Sequence, residues 1–541
     1  MNHPEIPFLL RRRQLLQWSS AGAGLILLPA SAQAQGQAAA TPRRGGTLTA
    51  LVHPEPPVLT TIAHTALFSA QVSAKVTEGL LDYDFDLNPV PQLATAWSIS
   101  PDGLQYTFKL RQGVKWHDGK PFTSADVAYS LRTLKEVHPR GRATFASLAD
   151  IQTPDAHTVV LKLGKPVPYL LTALSAAESP IVPRHLYEGT PADTNPYNNK
   201  PVGTGPYVFK EWVRGSHIVY ERNPHYWDAP RPYLDRLIIR FIPDAAARTA
   251  ALETGEVQLA PGNPVALGDL ERLRKQGRLQ FTTEGYQYIN SIFRLEFNLE
   301  RPLFKDVRVR RAFAHAINRP VLLNTAWYGQ GRITPGPISP TLKRFYVANL
   351  DVPGFDLARA NQLLDEAGFA RGADGVRLRT TLDPMPNEGS VRSSDYLKQA
   401  LAKIGVEVTL RAQDFSSYVK RIYTDRDFDF HFGGMSNTFD PTVGIQRLYW
   451  SKSFKRGLPF SNGSGYANAE VDRLLEAAAV EIDPARRVQQ FTEVQKLLLR
   501  DLPDLTLVAP DTYTIASPRV RDHTVTGTGF LGNLAHVYLT A

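Results

Sequence analysis

Apolar and polar side chains alternate without a break from Leu104 to Leu110. Leu104, Tyr106, Phe108 and Leu110 fall on one side of an extended chain, and Gln105, Thr107 and Lys109 on the other. This period of two predicts a half-buried β-strand. Pro101-Asp102-Gly103 ahead of it is a turn, in which Pro fixes one φ and Gly accepts a positive one. Gln112-Gly113 and Asp118-Gly119 are further turn signals around the short run 114–117. At Thr123 the period changes. Thr123 and Asp126 form a capping box, and Val127, Ser130, Leu131 and Leu134 share one face of the helix that follows.

The same reading predicts strands over 46–52, 207–212, 217–222 and 237–242, and a helix over 245–253. Near 286–298 the pattern changes style, and the chain is expected to cross from one half of the molecule to the other. Beyond that point Asp306 caps a helix with Val309, Ala312, Phe313, Ala316 and Ile317 on one face, stopped by Pro320. Asp356 caps another, with Ala360, Leu363, Leu364 and Ala367 on its apolar face and Gly368 at its end. Segments 376–382, 396–403, 406–410, 418–422 and 428–432 then spell β-α-β-α-β, which calls for a mostly parallel sheet with helices on its faces. Asp483-Pro484 opens a helix through Val488, Phe491 and Leu498. Segment 502–509 is expected to return across the crossing.

A chain of 541 residues is too long for one core and should divide into two to four domains. It contains no cysteine, which excludes disulfides, thiolate nucleophiles, iron–sulfur clusters and thiolate zinc sites. The formal charge of +9 does not point to nucleic acid, because the densest basic clusters, 272–275 and 308–311, fall in helical patterns as solvated faces. Residues 1–34 read as a targeting segment. Arg12-Arg13-Gln14-Leu15-Leu16-Gln17 is similar to the twin-arginine export motif, and Ala32-Gln33-Ala34 is a cleavage site for signal peptidase. The apolar run 18–28 is far short of the roughly 20 residues a membrane span needs. Residues 35–44 form a Gln/Ala/Pro-rich tail, expected to be disordered. With no later apolar span and no cysteine for a lipid anchor, the mature chain is expected free in the periplasm.

The wording of the 96–122 stretch adds a family. Its W-x-x-S-x-D-G-x-x-Y-x-F-x-L-R-x-G-V-K-W-H-D-G, from Trp97 to Gly119, resembles the signature of the extracytoplasmic solute-binding proteins of family 5. The segments N-K-P-V-G-T-G-P-Y at 199–207 and N-P-H-Y-W at 223–227 extend the resemblance. It implies an α/β, two-lobed periplasmic binding protein fold, type II, hinge-connected, with an extra domain in lobe one. The expected division is 35–79 plus 201–286 plus 503–541 for the main part of lobe one, 80–200 for the extra domain, and 287–502 for lobe two. The implied function is a receptor of an ABC importer, closing its lobes on a peptide-like or other small organic solute and presenting it to membrane permease subunits. A monomer without cofactor, metal or catalysis is expected; a secreted hydrolase and a periplasmic chaperone or sensor are the alternatives.

The candidate ligand contacts follow the predicted strand 428–432. Gly433, Gly434, Met435, Ser436, Asn437, Thr438, Phe439 and Asp440 form a loop at the carboxyl end of a sheet strand, where α/β folds bind ligands. The glycines would let a ligand approach the backbone, and Ser, Asn and Thr would offer neutral hydrogen bonds. In peptide-binding relatives an Asp four residues before Pro441 takes the peptide ammonium; here that position is Asn437. In dipeptide-binding relatives an Arg three residues after a Met-Pro pair holds the carboxylate; after Met385-Pro386 that place is Gly389, with Arg392 the nearest substitute. Tyr286, Tyr288, Trp227 and Tyr449-Trp450 are candidate apolar walls, Arg447 a second cation, and Asp440 is expected to order the Pro441 turn. The 13 histidines are scattered without metal-ligand spacing. Gly527-Thr528-Gly529-Phe530-Leu531-Gly532 matches G-x-G-x-x-G by letter, but too few residues follow it for a dinucleotide fold. No G-x-S-x-G, H-E-x-x-H or Walker loop occurs. Protein recovered from the periplasm should begin at Gln35 on N-terminal sequencing; a retained leader in the soluble fraction would overturn the cleavage assignment.

Overall fold

The computed structural model describes residues 41–540; the leader, its cleavage site and most of the tail lie outside the described residues. The 104–110 alternation is realised as the strand Gln105–Leu110, with Tyr106, Phe108 and Leu110 buried and Gln105 and Lys109 exposed. It lies in a four-stranded antiparallel sheet, ordered Ala94–Ile99, Gln105–Leu110, Thr158–Leu163, Leu148–Asp155. The helix Ser124–Val137 packs on this sheet through Val127, Leu131 and Leu134. Its capping carboxylate works twice. Asp126 accepts the Thr123 N–H at 2.9 Å and the Arg184 N–H at 3.0 Å, tying the helix start to a distant loop.

Two larger sheets make the lobes. One has seven strands, ordered Gln280–Thr282, Thr514–Ala516, Leu259–Ala260, Thr47–Leu51, Arg236–Arg240, His217–Arg222, Tyr207–Val213. The other has six, ordered Gly331–Ile333, Asp504–Pro510, Ser291–Phe297, Phe430–Ser436, Leu378–Pro384, Val406–Leu410. This second sheet is mixed where the β-α-β-α-β pattern called for mostly parallel pairing. Leu378–Pro384 is parallel to both of its neighbours, but Ser291–Phe297 runs antiparallel to Phe430–Ser436 and to Asp504–Pro510. The reason is topological: the antiparallel strands enter and leave through the crossings instead of through helices.

The chain passes between these sheets twice, over 283–290 and 511–513. The first crossing overlaps the change of pattern at 286–298 only over 286–290, because Ser291–Phe297 is already a strand of the six-stranded sheet. The second comes later than expected: 502–509 does not leave lobe two, because Asp504–Pro510 is hydrogen-bonded inside the six-stranded sheet. Pro320 likewise does more than stop a helix. It sits in the first turn of a new one, Arg319–Trp327, which Asn318 caps by accepting the Val321 N–H at 3.1 Å.

The family-like words converge on one buried carboxylate. Glu78 accepts hydrogen bonds from Thr204 Oγ1 at 2.9 Å, Tyr226 Oη at 2.8 Å and Trp227 Nε1 at 2.9 Å. Thr204 belongs to G-T-G-P-Y, and Tyr226-Trp227 end N-P-H-Y-W. Gly203 is required there, since a Cβ would stand 1.9 Å from the Val76 carbonyl oxygen. Burial pushes Glu78 up to about 7, against these three donors and Asn533 Nδ2 at 3.4 Å, all of which favour its ionised form. The folded state therefore holds this proton more tightly than the unfolded chain. Its contribution to stability is complete below pH 4.5 and is lost as the pH rises to about 7, a change of about 3 kcal/mol. Thermal melts at pH 4.5 and 7.5 should show the stability gap between the wild type and Glu78→Gln shrinking as pH rises. A gap independent of pH would show that Glu78 is ionised throughout.

Candidate functional site

Between the two large sheets lies a cavity of about 620 Å³. Its lobe-two wall is aromatic and rests on two glycines. The Trp327 ring covers Gly389, where a Cβ would come within 2.4 Å of the indole. Trp327 Nε1 donates to Ser393 Oγ at 3.0 Å, and the Phe293 ring meets the indole edge-on with centroids 4.6 Å apart. Phe293 in turn lies over Gly434, where a Cβ would stand 2.7 Å from its ring. Lobe one closes the apolar side with Val265, Leu267 and Phe530.

Polar groups line the cavity from both lobes and the crossings, with Gln330, Asn387 and Glu388 on the lobe-two side. Arg248, on the helix Ala245–Thr254, donates Nε to the Pro264 carbonyl at 2.6 Å and Nη1 to those of Ile242 at 3.1 Å and Pro243 at 2.5 Å. No carboxylate among the described residues lies within 4.0 Å of this guanidinium, and burial draws its pKa down. Asp511, in the second crossing, accepts Asn263 Nδ2 at its main-chain oxygen at 3.3 Å, while its carboxylate forms no ion pair among the described residues. Asn290 has a buried Oδ1 without a partner. Tyr286 ties the first crossing to lobe one: its hydroxyl accepts the Gly262 N–H at 2.8 Å and shares a hydrogen bond with Thr514 Oγ1 at 2.7 Å, and burial pushes it up to about 12.

Of the residues singled out by sequence, Tyr286 and Gly389 line this cavity. Gly433, Gly434, Met435 and Ser436 are strand, not loop. Their glycines admit side chains of the protein itself: a Cβ at Gly433 would meet Tyr418 Oη at 2.9 Å, and Gly434 carries Phe293. Met435 is in the lobe-two core, and the Ser436 carbonyl accepts Arg447 Nη2 at 3.1 Å. Asn437 is fully buried; its Oδ1 accepts the Ser339 N–H at 2.6 Å and its Nδ2 has no partner. Thr438 sits at a φ of 50°, and Phe439 stacks on Tyr288 with centroids 4.9 Å apart. Asp440 orders the Pro441 turn as expected, accepting the Thr442 N–H at 2.8 Å, and pairs with Arg487 at 2.6 Å. Arg392 lies over the Tyr328 ring and pairs with Glu388 at 2.6 Å. Arg447 reaches only main-chain oxygens, and burial lowers it to about 10. Trp227 is held by Glu78, Tyr449 by Asp504 at 2.7 Å and Trp450 by Glu476 at 2.8 Å.

Arg248, Asp511, Asn290, Phe293 and Trp327 carried no sequence signal. Arg248 reads as one more cation on a capped helix, and Trp327 as one more apolar helix position. Among the described residues no group of three or more His, Asp or Glu side chains is placed to hold a metal ion. No helix among them is long and apolar enough to cross a membrane.

Comparison with known proteins agrees over almost the whole length. The chain is 30% identical over 501 residues to the oligopeptide-binding protein AppA of Bacillus subtilis, covering 88% of each chain. The solved structure of that protein, in complex with a nonapeptide, superposes with a TM-score of 0.76 at 27% identity, over 93% of this chain and all of the other. The ABC transporter-associated periplasmic binding protein DppA of Helicobacter pylori, in complex with the peptide STSA, gives 0.76 at 26% identity, covering 92% of this chain and 99% of that one. Residues 88–457 match the family model of bacterial extracellular solute-binding proteins, family 5, middle part. With its two sheets, its two crossings and the cavity between them, the chain belongs to the bacterial extracellular solute-binding proteins of family 5.

Proposed function

We propose that this protein is the periplasmic receptor of an ABC importer, exported with cleavage after Ala34, capturing a peptide-like or other small organic solute and handing it to permease subunits. The observation that carries the reading is the cavity of about 620 Å³ walled by both lobes and spanned by two crossings. That volume is in the range of about 300–1,000 Å³ typical of small-ligand sites. It suits a solute of a few residues better than a nonapeptide. Lobe one would comprise 42–282 and 514–540, with the four-stranded sheet as its extra domain, and lobe two 291–510. Closure about 283–290 and 511–513 would be favoured by a ligand in proportion to its extra contacts in the closed form. The peptides bound to AppA and DppA support a peptide-like solute.

The receptor reading is tested by a thermal-shift screen of peptides, amino acids, opines and sugars. A ligand at about 100 times its dissociation constant should stabilise the fold by about 2.7 kcal/mol and be recovered unchanged. Consumption of the hit would favour a hydrolase.

The aromatic wall generates a second test. Gly389→Ala should displace the Trp327 ring, lowering stability by about 1–3 kcal/mol and weakening whatever solute the screen finds. Unchanged melting and affinity would show that the indole is not fixed against Gly389.

A further inference from the structure

The cavity is lined by two charged side chains of opposite sign that form no ion pair within 4.0 Å, Asp244 acting on Arg248 only from farther away. The guanidinium of Arg248 is anchored by three carbonyls through Nε and Nη1, which leaves Nη2 without a partner among the described residues. The carboxylate of Asp511 has no ion-pair partner among them either. The two are held by consecutive residues: Pro264 accepts from Arg248, and Asn263 donates to the main chain of Asp511. They are therefore near each other, yet no contact within 4.0 Å neutralises them. The other carboxylate on the wall, Glu388, is already engaged by Arg392 at 2.6 Å. On the same cavity lining, Asn290 has an unpartnered, buried acceptor oxygen.

A charge without an ion-pair partner becomes costly as a cleft closes over it, unless a ligand supplies the partner. Resting on the receptor reading above, we infer that the solute is a zwitterion with an apolar or aromatic body. Its carboxylate is received by Arg248, its ammonium by Asp511, and its body by Trp327 and Phe293. Asn290 Oδ1 accepts an amide or ammonium N–H between them. Recognition of the termini thus lies in lobe one and the second crossing. The two places that the family pattern marked do not offer these charges: the indole covers Gly389, and Asn437 has its oxygen taken by Ser339, which leaves only an Nδ2 donor that cannot receive an ammonium.

Calorimetric titration of the mature protein with phenylalanyl-alanine in four forms tests this: free, N-acetylated, C-amidated and doubly capped. The free form should bind tightest, each cap weakening it about tenfold or more. In Arg248→Gln the penalty for amidation should vanish while that for acetylation remains; in Asp511→Asn the reverse should hold. Should Arg248→Gln fail to fold for want of its carbonyl bonds, the wild-type cap series and Asp511→Asn still decide. Equal affinity for all four forms, cap penalties unchanged in the variants, or no binding of any form would overturn the inference. If other solutes in the thermal-shift screen still stabilise the protein, the receptor reading survives that loss. If none does, the receptor reading fails as well.

Discussion

Tyr288 is the contact on which the relation between the lobes depends. It belongs to the first crossing and is fully buried. Its ring is stacked between Tyr83 of lobe one, at 5.1 Å, and Phe439 of lobe two, at 4.9 Å. Its hydroxyl donates to the Thr172 carbonyl at 2.7 Å and accepts from Ser175 Oγ at 2.9 Å, so the ring is fixed in the core of the extra domain. Each aromatic pair adds about 0.5–1.5 kcal/mol beyond its buried area. The Asn437–Asp440 loop is therefore part of the wedge between the domains. With Phe439 stacked and Asp440 paired to Arg487, its side chains hold the frame around the cavity.

Much of the fold was legible in the sequence because it rests on local rules. The 104–110 alternation, the Thr123 and Asp306 caps, the Asp483-Pro484 helix start and the first crossing are each decided within a few residues. What was not legible depends on pairing between distant segments. Nothing in 502–509 distinguishes a strand that returns to lobe one from one that completes lobe two; only its ladder to Ser291–Phe297 decides. The same holds for the buried cluster of Arg294, Glu296 and Asp504, in which Arg294 meets Glu296 at 2.5 Å and Asp504 at 2.7 Å. Along the chain these look like ordinary surface charges.

The segment 433–440 that the sequence marks lies outside the lining of the cavity. Gly433 and Gly434 do mark a place where something approaches the backbone closely, but the approaching groups are Tyr418 and Phe293. Phe293 then presents its ring to the cavity. Gly389 behaves alike: it lines the cavity, and the Trp327 indole stands over it. A glycine next to a binding site is evidence of close packing, and only the structure says whether ligand or protein fills the space.

The unpaired charges also give the lobes a reason to respond to ligand. A receptor that closed equally well empty would gain nothing from binding, since a ligand shifts an equilibrium only by its differential affinity for the two forms. Moving a two-state equilibrium from 1:99 to 99:1 takes about 5.5 kcal/mol of such difference. Shutting Arg248 and Asp511 away from water without partners opposes closure of the empty cleft, whereas a zwitterion held between them removes that opposition. The aromatic wall rewards closure on the same molecule by covering its body. Pairing, more than surface area, is then what couples occupancy to shape, and a solute lacking either charge would leave part of the opposition in place.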